Sequence, residues 1–366
     1  MNALLSVLRH NRLLWLLVLV PLPLIGAAAM PKADSLLFLL SIAGIVPLAA
    51  LLSIATEAVA AKTGDAVGGL LNATLGNLTE LIMMVTALRA GEYLLVKATI
   101  AGAIVTNSLF MMGAAFLIGG LKHKMQTFNL ANASLQLSML FLATFALLIP
   151  SAIGAADRQE ISLNVSLGLS ILLILTYGLG LIYSLGTHRE YFASDAHEEE
   201  QALMPVGVAV ATLVAVTVLV ALVSEVFIES LHGASAELGL TPAFVGFIVV
   251  ALVGAAAEMA AAFAAAAKDR LDMSVGIAFG SSAQIALFVA PVLVLLSYII
   301  GPAPMSLEFW PGAVVMMFVA VLSASMVTSS GKSTWFAGVL MLMIYAVFAL
   351  TLYLLPVTSD TGVIGG

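Results

Sequence analysis

Cysteine is absent from all 366 residues, so no disulfide framework, thiolate zinc site or iron–sulfur cluster is available. Charge is also scarce, at 9% of the chain. A soluble protein of this length needs a far more charged surface, whereas a helical bundle in lipid needs charge only in its loops. Lys and Arg together number 13 against 20 Asp and Glu, a net charge of -7, which excludes a basic nucleic-acid-binding surface. What fills the chain instead is apolar: 62% is hydrophobic and the mean hydropathy is +1.15. This composition is that of an integral membrane protein with no room for a separate soluble domain, and its partners are to be sought among small cations.

The apolar runs predict an all-α polytopic fold of about eleven spans, at roughly 14–30, 36–61, 66–88, 97–120, 133–153, 162–186, 205–228, 241–267, 274–300, 309–328 and 335–355. Alternating sides from a cytoplasmic N-terminus places Arg9, Arg12, Lys62, Lys122, Lys124, Arg189, Lys268, Arg270 and Lys332 inside. Lys32, Arg89, Lys97 and Arg158 fall outside, and this bias favours N-in, C-out, in what is expected to be a bacterial inner (plasma) membrane. The first span also has signal-peptide features, Arg9 and Arg12 before an apolar run that ends in "AAAM" at 27–30, although Pro21 and Pro23 interrupt that run.

An internal repeat organises the chain. Sliding it by 178 residues pairs Thr63 with Thr241, Gly68 with Gly246, Gly76 with Gly254, Glu80 with Glu258, Gly102 with Gly280 and Phe110 with Phe288. Glu80 then lies on the third span and Glu258 on the eighth, an odd offset that inverts the second copy, as in many secondary transporters. The expected organisation is a tail and extra first helix (1–34), a first inverted repeat (35–187), an acidic cytoplasmic linker (188–204), a second inverted repeat (205–355) and a C-terminal tail (356–366).

Four glutamates fall inside predicted spans: Glu57, Glu80, Glu225 and Glu258. Each ionised acid at a bilayer centre costs ~2.5–3.5 kcal/mol on insertion scales, and no Lys or Arg is read as lying inside a span to pair with them. They must carry protons or meet a cation from solution. Gly76 and Gly254 precede Glu80 and Glu258 by four residues, where a glycine weakens the helix and releases carbonyls as ligands, and Asn77 and Thr79 add side-chain oxygens. Six to eight such oxygens are what a hard divalent cation takes. The companion helices carry "GAIVTNSLF", with Thr106 and Asn107, and "GSSAQIALF", with Ser281, Ser282 and Gln284. Helix-to-helix hydrogen bonding is the alternative use of these groups.

With these residues in view, the chain resembles the calcium/cation:proton antiporters of the cation exchanger family, within the calcium:cation antiporter superfamily. The signature regions are "ATEAVAAKTGDAVGGLLNATLGNLTELI" and "SEVFIESLHGASAELGLTPAFVGFIVVALVGAAAEMAAAF" followed by "GSSAQIALFVAP", and the likeness runs from about 36 to 355. The resemblance implies that Glu80 and Glu258 bind calcium and protons in turn, that Asn107, Ser281 and Gln284 line or support the site, and that Glu57 and Glu225 serve proton transfer or cation access. It implies a secondary antiporter with divalent cations and protons as substrates, no cofactor and no enzymatic reaction; a homo-oligomer is compatible with it. Two departures stand out. Where the family's second motif reads Gly-Asn-Ala-Ala-Glu-His, this chain has Ala255 for the Asn and Met259 for the His. Sodium- or potassium-coupled exchange, or monovalent cation:proton antiport on the same scaffold, is the alternative.

Weaker signals point elsewhere. The acidic strip "SDAHEEEQ" at 194–201 reads as a solvated linker, or as a cation-attracting or calcium-sensing segment. "SSGKST" at 329–334 has Met326 where a phosphate-binding loop needs its first glycine, and reads as a turn. An intramembrane protease is disfavoured, because neither His-Glu-x-x-His nor Gly-x-Ser-x-Gly occurs.

Overall fold

The computed structural model describes residues 11–63, 68, 70–71, 74–154, 159–188 and 204–354. A 3-10 segment, Arg12–Leu19, leads into α1, Pro21–Ala29. There follow α2 (Asp34–Ala60), α3 (Leu78–Arg89), α4 (Tyr93–His123), the short strand β1 (Met125–Thr127), α5 (Leu130–Gly154) and α6 (Gln159–Leu181, with π-helical turns to Thr187). The second half contains α7 (Val206–Leu238), α8 (Pro242–Gly254), α9 (Ala256–Ala267), α10 (Leu271–Ile300), α11 (Pro311–Thr328), the strand β2 (Lys332–Thr334) and α12 (Trp335–Leu354). Proline opens α1, α8 and α11, where its missing N–H costs nothing.

Among the described residues, eight helices are long and apolar enough to cross a membrane, and α8 with α9, bent by 57°, makes a ninth span. The expected count of eleven is not reached by this measure. The first expected span is the shorter apolar stretch Leu13–Ala29, and of the third only Leu78–Arg89 is continuous helix, part of 66–88 lying outside the described residues. The seventh helix runs ten residues past the expected 228, to Leu238, because "ESLHGASAEL" keeps helix-forming backbone until Gly239 turns left-handed at φ 67°. The "SSGKST" turn holds, with Gly331 at φ 65°, but its Lys332–Thr334 also pairs antiparallel with Met125–Thr127.

Burial separates inner from outer helices. Of the most apolar stretch of α4, 83% is buried, against 22% in α6, α7 and α12, whose outward faces present leucine, valine and phenylalanine as lipid requires. The centre is glycine-dependent: a Cβ on Gly102 of α4 would stand 2.2 Å from the carbonyl oxygen of Phe247, and one on Gly246 of α8 would stand 2.8 Å from that of Leu95. Backbone meets backbone at this crossing, the packing that small residues permit in membranes.

The two copies run in opposite directions. Helix α3 ends at Arg89, beside the start of α4, whereas α9 ends at Ala267, whose carbonyl accepts from Lys122 Nζ at 2.7 Å and contacts His123 at the far end of α4. Lys122, Lys124, Lys268, Arg270 and, through the β1–β2 pair, Lys332 therefore gather at one end of the bundle. The opposite end is strapped by residues 301–310: Tyr93 Oη donates to the Ala303 carbonyl at 2.6 Å, and the Leu307 and Phe309 amides donate to Ser166 and Ser151 at 2.9 and 3.0 Å.

Candidate ion-binding site

Both copies of the repeat break at the same place. Asn77 (φ -97°, ψ 32°) interrupts the chain before α3 and Ala255 (φ -81°, ψ 5°) separates α8 from α9, and these positions differ by the same 178 residues as the sequence repeat. Glu80 and Glu258 each occupy the first turn after the break, where unpaired helix N–H groups favour negative charge. The companion helices match as well: α4 widens to π geometry at Thr106–Met111, α10 at Ile285–Val289, and the offset carries 106–111 to 284–289. π-Bulges of this kind recur at functional sites.

The two carboxylates meet. Glu80 lies against the bare Cα of Gly254, where a Cβ would stand 2.6 Å from Glu80 Cγ. Glu80, Glu258, Gly76, Thr79, Gly254, Ser53 and Ala49 are among the walls of a chamber of about 10 Å³, on the order of one water or one dehydrated ion. Glu258 also faces a larger cavity of about 350 Å³, whose walls include Glu57, Gln136, Tyr177, Ser281 and Gln284. Glu80 is 1% exposed and closed in, so Glu258 is the carboxylate that the open side reaches. No Lys, Arg or His is found among the described residues that line either space.

Hydroxyls and amides brace the pair. Ser281 Oγ donates to Asn77 Oδ1 at 2.6 Å and accepts from Asn107 Nδ2 at 2.9 Å, so one side chain of α10 ties together the break before α3 and the π segment of α4. Asn77 consequently makes no side-chain cap to its own helix. Shifted by 178 residues, the same triad reads Ala255, Ala103 and Ile285, all buried and apolar. The polar network thus exists once in the molecule, and the departure at Ala255 is matched by two more on its would-be partners. Met259 is buried at 6% exposure and belongs to the hydrophobic core.

Several buried polar atoms at the site have no hydrogen-bond partner among the described residues: the acceptors Glu80 Oε1, Glu258 Oε2 and Asn107 Oδ1, and the donors Asn77 Nδ2 and Gln284 Nε2. Buried polar groups are almost always paired, so such a concentration marks a place where water or an ion completes the structure. Oxygen acceptors with two carboxylates among them suit a hard cation. No cluster of three or more His, Asp or Glu side chains occurs among the described residues, so carbonyls, amides and water would complete the shell.

The sequence-predicted residues fall into two groups. Glu80, Glu258, Asn77, Asn107, Ser281 and Gln284 come together, and Glu57, held by Ser53 Oγ at 3.2 Å, stands on the wall of the large cavity. Glu225 does not join them; it lies exposed on α7, away from both spaces. Lys97 corrects the expectation that no basic residue enters a span, since it sits within α4 and donates to Ser306 Oγ at 3.3 Å, toward the strapped end and not toward the glutamates. The acidic strip 194–201 lies outside the described residues. Gln136 and Asn132 on the cavity wall were missed; the signal that would have found them is a pair of amides four apart at the start of α5.

Two antiparallel broken helices that bring one carboxylate each to a shared chamber inside a polytopic bundle define a secondary transporter of the inverted-repeat type. The chain belongs to the sodium/calcium exchanger protein family, whose model matches residues 34–186 and 208–354. It is 39% identical over 366 residues to the Ca(2+)/H(+) antiporter of Aphanothece halophytica, covering 95% of this chain and 97% of that protein. The solved structure of native YfkE superimposes with a TM-score of 0.82 at 35% identity, over 94% of this chain and all of that one. The H+/Ca2+ exchanger CAX shares the fold at a TM-score of 0.72 and 17% identity, over 96% of this chain and 89% of that one.

Proposed function

We propose that the protein is a secondary active antiporter exchanging a divalent cation, calcium foremost, for protons by alternating access around the Glu80–Glu258 chamber. The observation that carries this reading is one chamber shared by two carboxylates from opposite repeats, with no basic side chain among the described residues on its walls and with Glu258, of the two, facing the open cavity. Two negative charges are balanced by one divalent cation or by protons, and a carboxylate that takes a proton loses the charge that would hold the cation. Neutralisation by protons removes the cost of returning an empty, doubly negative site through a low-dielectric core, so uncoupled return is suppressed. The relatives named above as calcium/proton antiporters support the choice of ions.

The large cavity opens at the end where Lys122, Lys124, Lys268, Arg270 and Lys332 gather, which under the positive-inside bias is the cytoplasmic face. This is the cytoplasm-facing form of an exporter in a plasma membrane with a cytoplasmic N-terminus, organised as the two inverted repeats 35–187 and 205–355. Asn77, Asn107, Ser281 and Gln284 complete or brace the ion shell, and Glu57 gathers cations at the mouth.

The test is cation-dependent proton movement in proteoliposomes under an imposed pH gradient, scanning calcium, manganese, sodium and potassium. Calcium-selective dissipation that is lost in both Glu80→Gln and Glu258→Gln supports the reading, and retained coupling in both would refute it. A response to monovalent ions alone would show that Ala255 and Met259 have rewritten the selectivity. Because protons and calcium compete for the same carboxylates, the apparent KM for calcium rises as pH falls on the side where calcium is presented; a KM independent of pH would separate the two ions' sites.

A further inference from the structure

One wall of the large cavity is formed by α5 and α10, which present polar residues and glycines to it at matching four-residue spacing. Gly276 and Gly280 lie four apart on one face of α10, with Gln284 four further on. Asn132 and Gln136 lie four apart on α5 and lean over those glycines: Asn132 Nδ2 is 3.9 Å from the position of a Cβ on Gly276, and Gln136 Nε2 is 3.5 Å from that on Gly280. All five residues line the large cavity. Gln136 Oε1 is buried and has no hydrogen-bond partner among the described residues. Apart from Asn132, the rest of α5 is apolar residues and hydroxyls, of which Ser138, Thr144 and Ser151 donate to carbonyls one turn back, and the Gln136 amide oxygen is the exception.

We propose that Gln136, aligned by Asn132 and the two glycines, is a cation-handling residue: its carbonyl replaces part of the hydration shell of the divalent ion between Glu57 at the mouth and Glu258 at the chamber. The inference rests on the antiport reading above and adds to it a ligand on the access path. A hard cation leaving water needs replacement oxygens. A third carboxylate there would hold the ion, whereas a neutral amide binds weakly enough to pass it on, the balance that conduction paths require. The amides lie along α10 at ordinary contact distance from the Cβ positions of Gly276 and Gly280, on the line that ends at Gln284 and Glu258.

The experiment compares calcium-dependent proton movement in vesicles that present either face of the protein, for wild type, Gln136→Leu and Gln136→Glu, with thermal unfolding of each purified variant as the check on folding. Loss of one uncharged ligand to a cation is worth about tenfold in affinity. The ratio of the calcium KM at the cavity face to that at the opposite face is therefore expected to rise about tenfold in Gln136→Leu and to fall below the wild-type ratio in Gln136→Glu, which also turns over more slowly because it retains the ion. An unchanged ratio in Gln136→Leu, or an equal rise at both faces, would reduce Gln136 to a packing residue and overturn the proposal. Failure of wild type to exchange calcium for protons would instead overturn the antiport reading itself.

Discussion

Ser281 is the residue through which the site is held together, because its single hydroxyl serves two amides that come from the other repeat. Replacing it with alanine leaves Asn77 Oδ1 and Asn107 Nδ2 buried without partners, at ~1–3 kcal/mol for each group left unsatisfied. Ser281→Ala is expected to lower the thermal midpoint and weaken calcium binding together, read by thermal unfolding with and without calcium; a variant with both unchanged would mean that water already serves these amides. The glutamates of this site were legible in the sequence because charge inside a 20-residue apolar run has few explanations. The Asn77–Ser281–Asn107 triad was not, since which polar groups meet is decided by where α3, α4 and α10 cross, and spacing within one helix says nothing of that. Glu225 shows the converse: a glutamate within an apolar run that the helix simply turns outward.

At the level of helices, the glycines announce the breaks and crossings but not their consequences, which differ from one glycine to the next. A Cβ on Gly102 would meet the Phe247 backbone, which cannot swing aside, so α4 and α8 must part. A Cβ on Gly276 would find its nearest neighbour, an Asn132 amide nitrogen, at an ordinary 3.9 Å. Gly102→Ala is thus expected to destabilise by ~1–3 kcal/mol through overpacking. Gly276→Ala is expected to leave stability unchanged or raise it by ~0.5–1 kcal/mol, since alanine loses less entropy in a helix. Thermal unfolding of the two variants side by side decides this, and equal destabilisation would mean that α10 is packed at Gly276 as tightly as α4 is at Gly102. The bend after Gly254 was readable from Gly and Glu at matched offsets. The length of α7 was not, because "GASAEL" carries no stop signal before Gly239 and its hydropathy falls where the helix leaves the lipid.

The molecule is built from two similar halves, yet among the described residues the large cavity lies at the Lys122 end and the 301–310 strap crosses the other. Sequence symmetry alone predicts two equivalent ends; the asymmetry is a property of the conformation, which no residue pattern encodes. The absence of cysteine makes this directly measurable, since any introduced thiol is the only one present. Met139 lines the open cavity and Leu52 only the closed chamber. With a membrane-impermeant thiol reagent, Met139→Cys is expected to react from the face carrying Lys122 and Lys332 and not from the opposite face, while Leu52→Cys reacts from neither. During exchange driven by a calcium gradient the cavity must close for part of each cycle, so labelling of Met139→Cys should slow in proportion to the time spent open to the other side. Undiminished labelling while transport continues would be incompatible with alternating access, and would require a path through the bundle that stays open to the Lys122 face throughout.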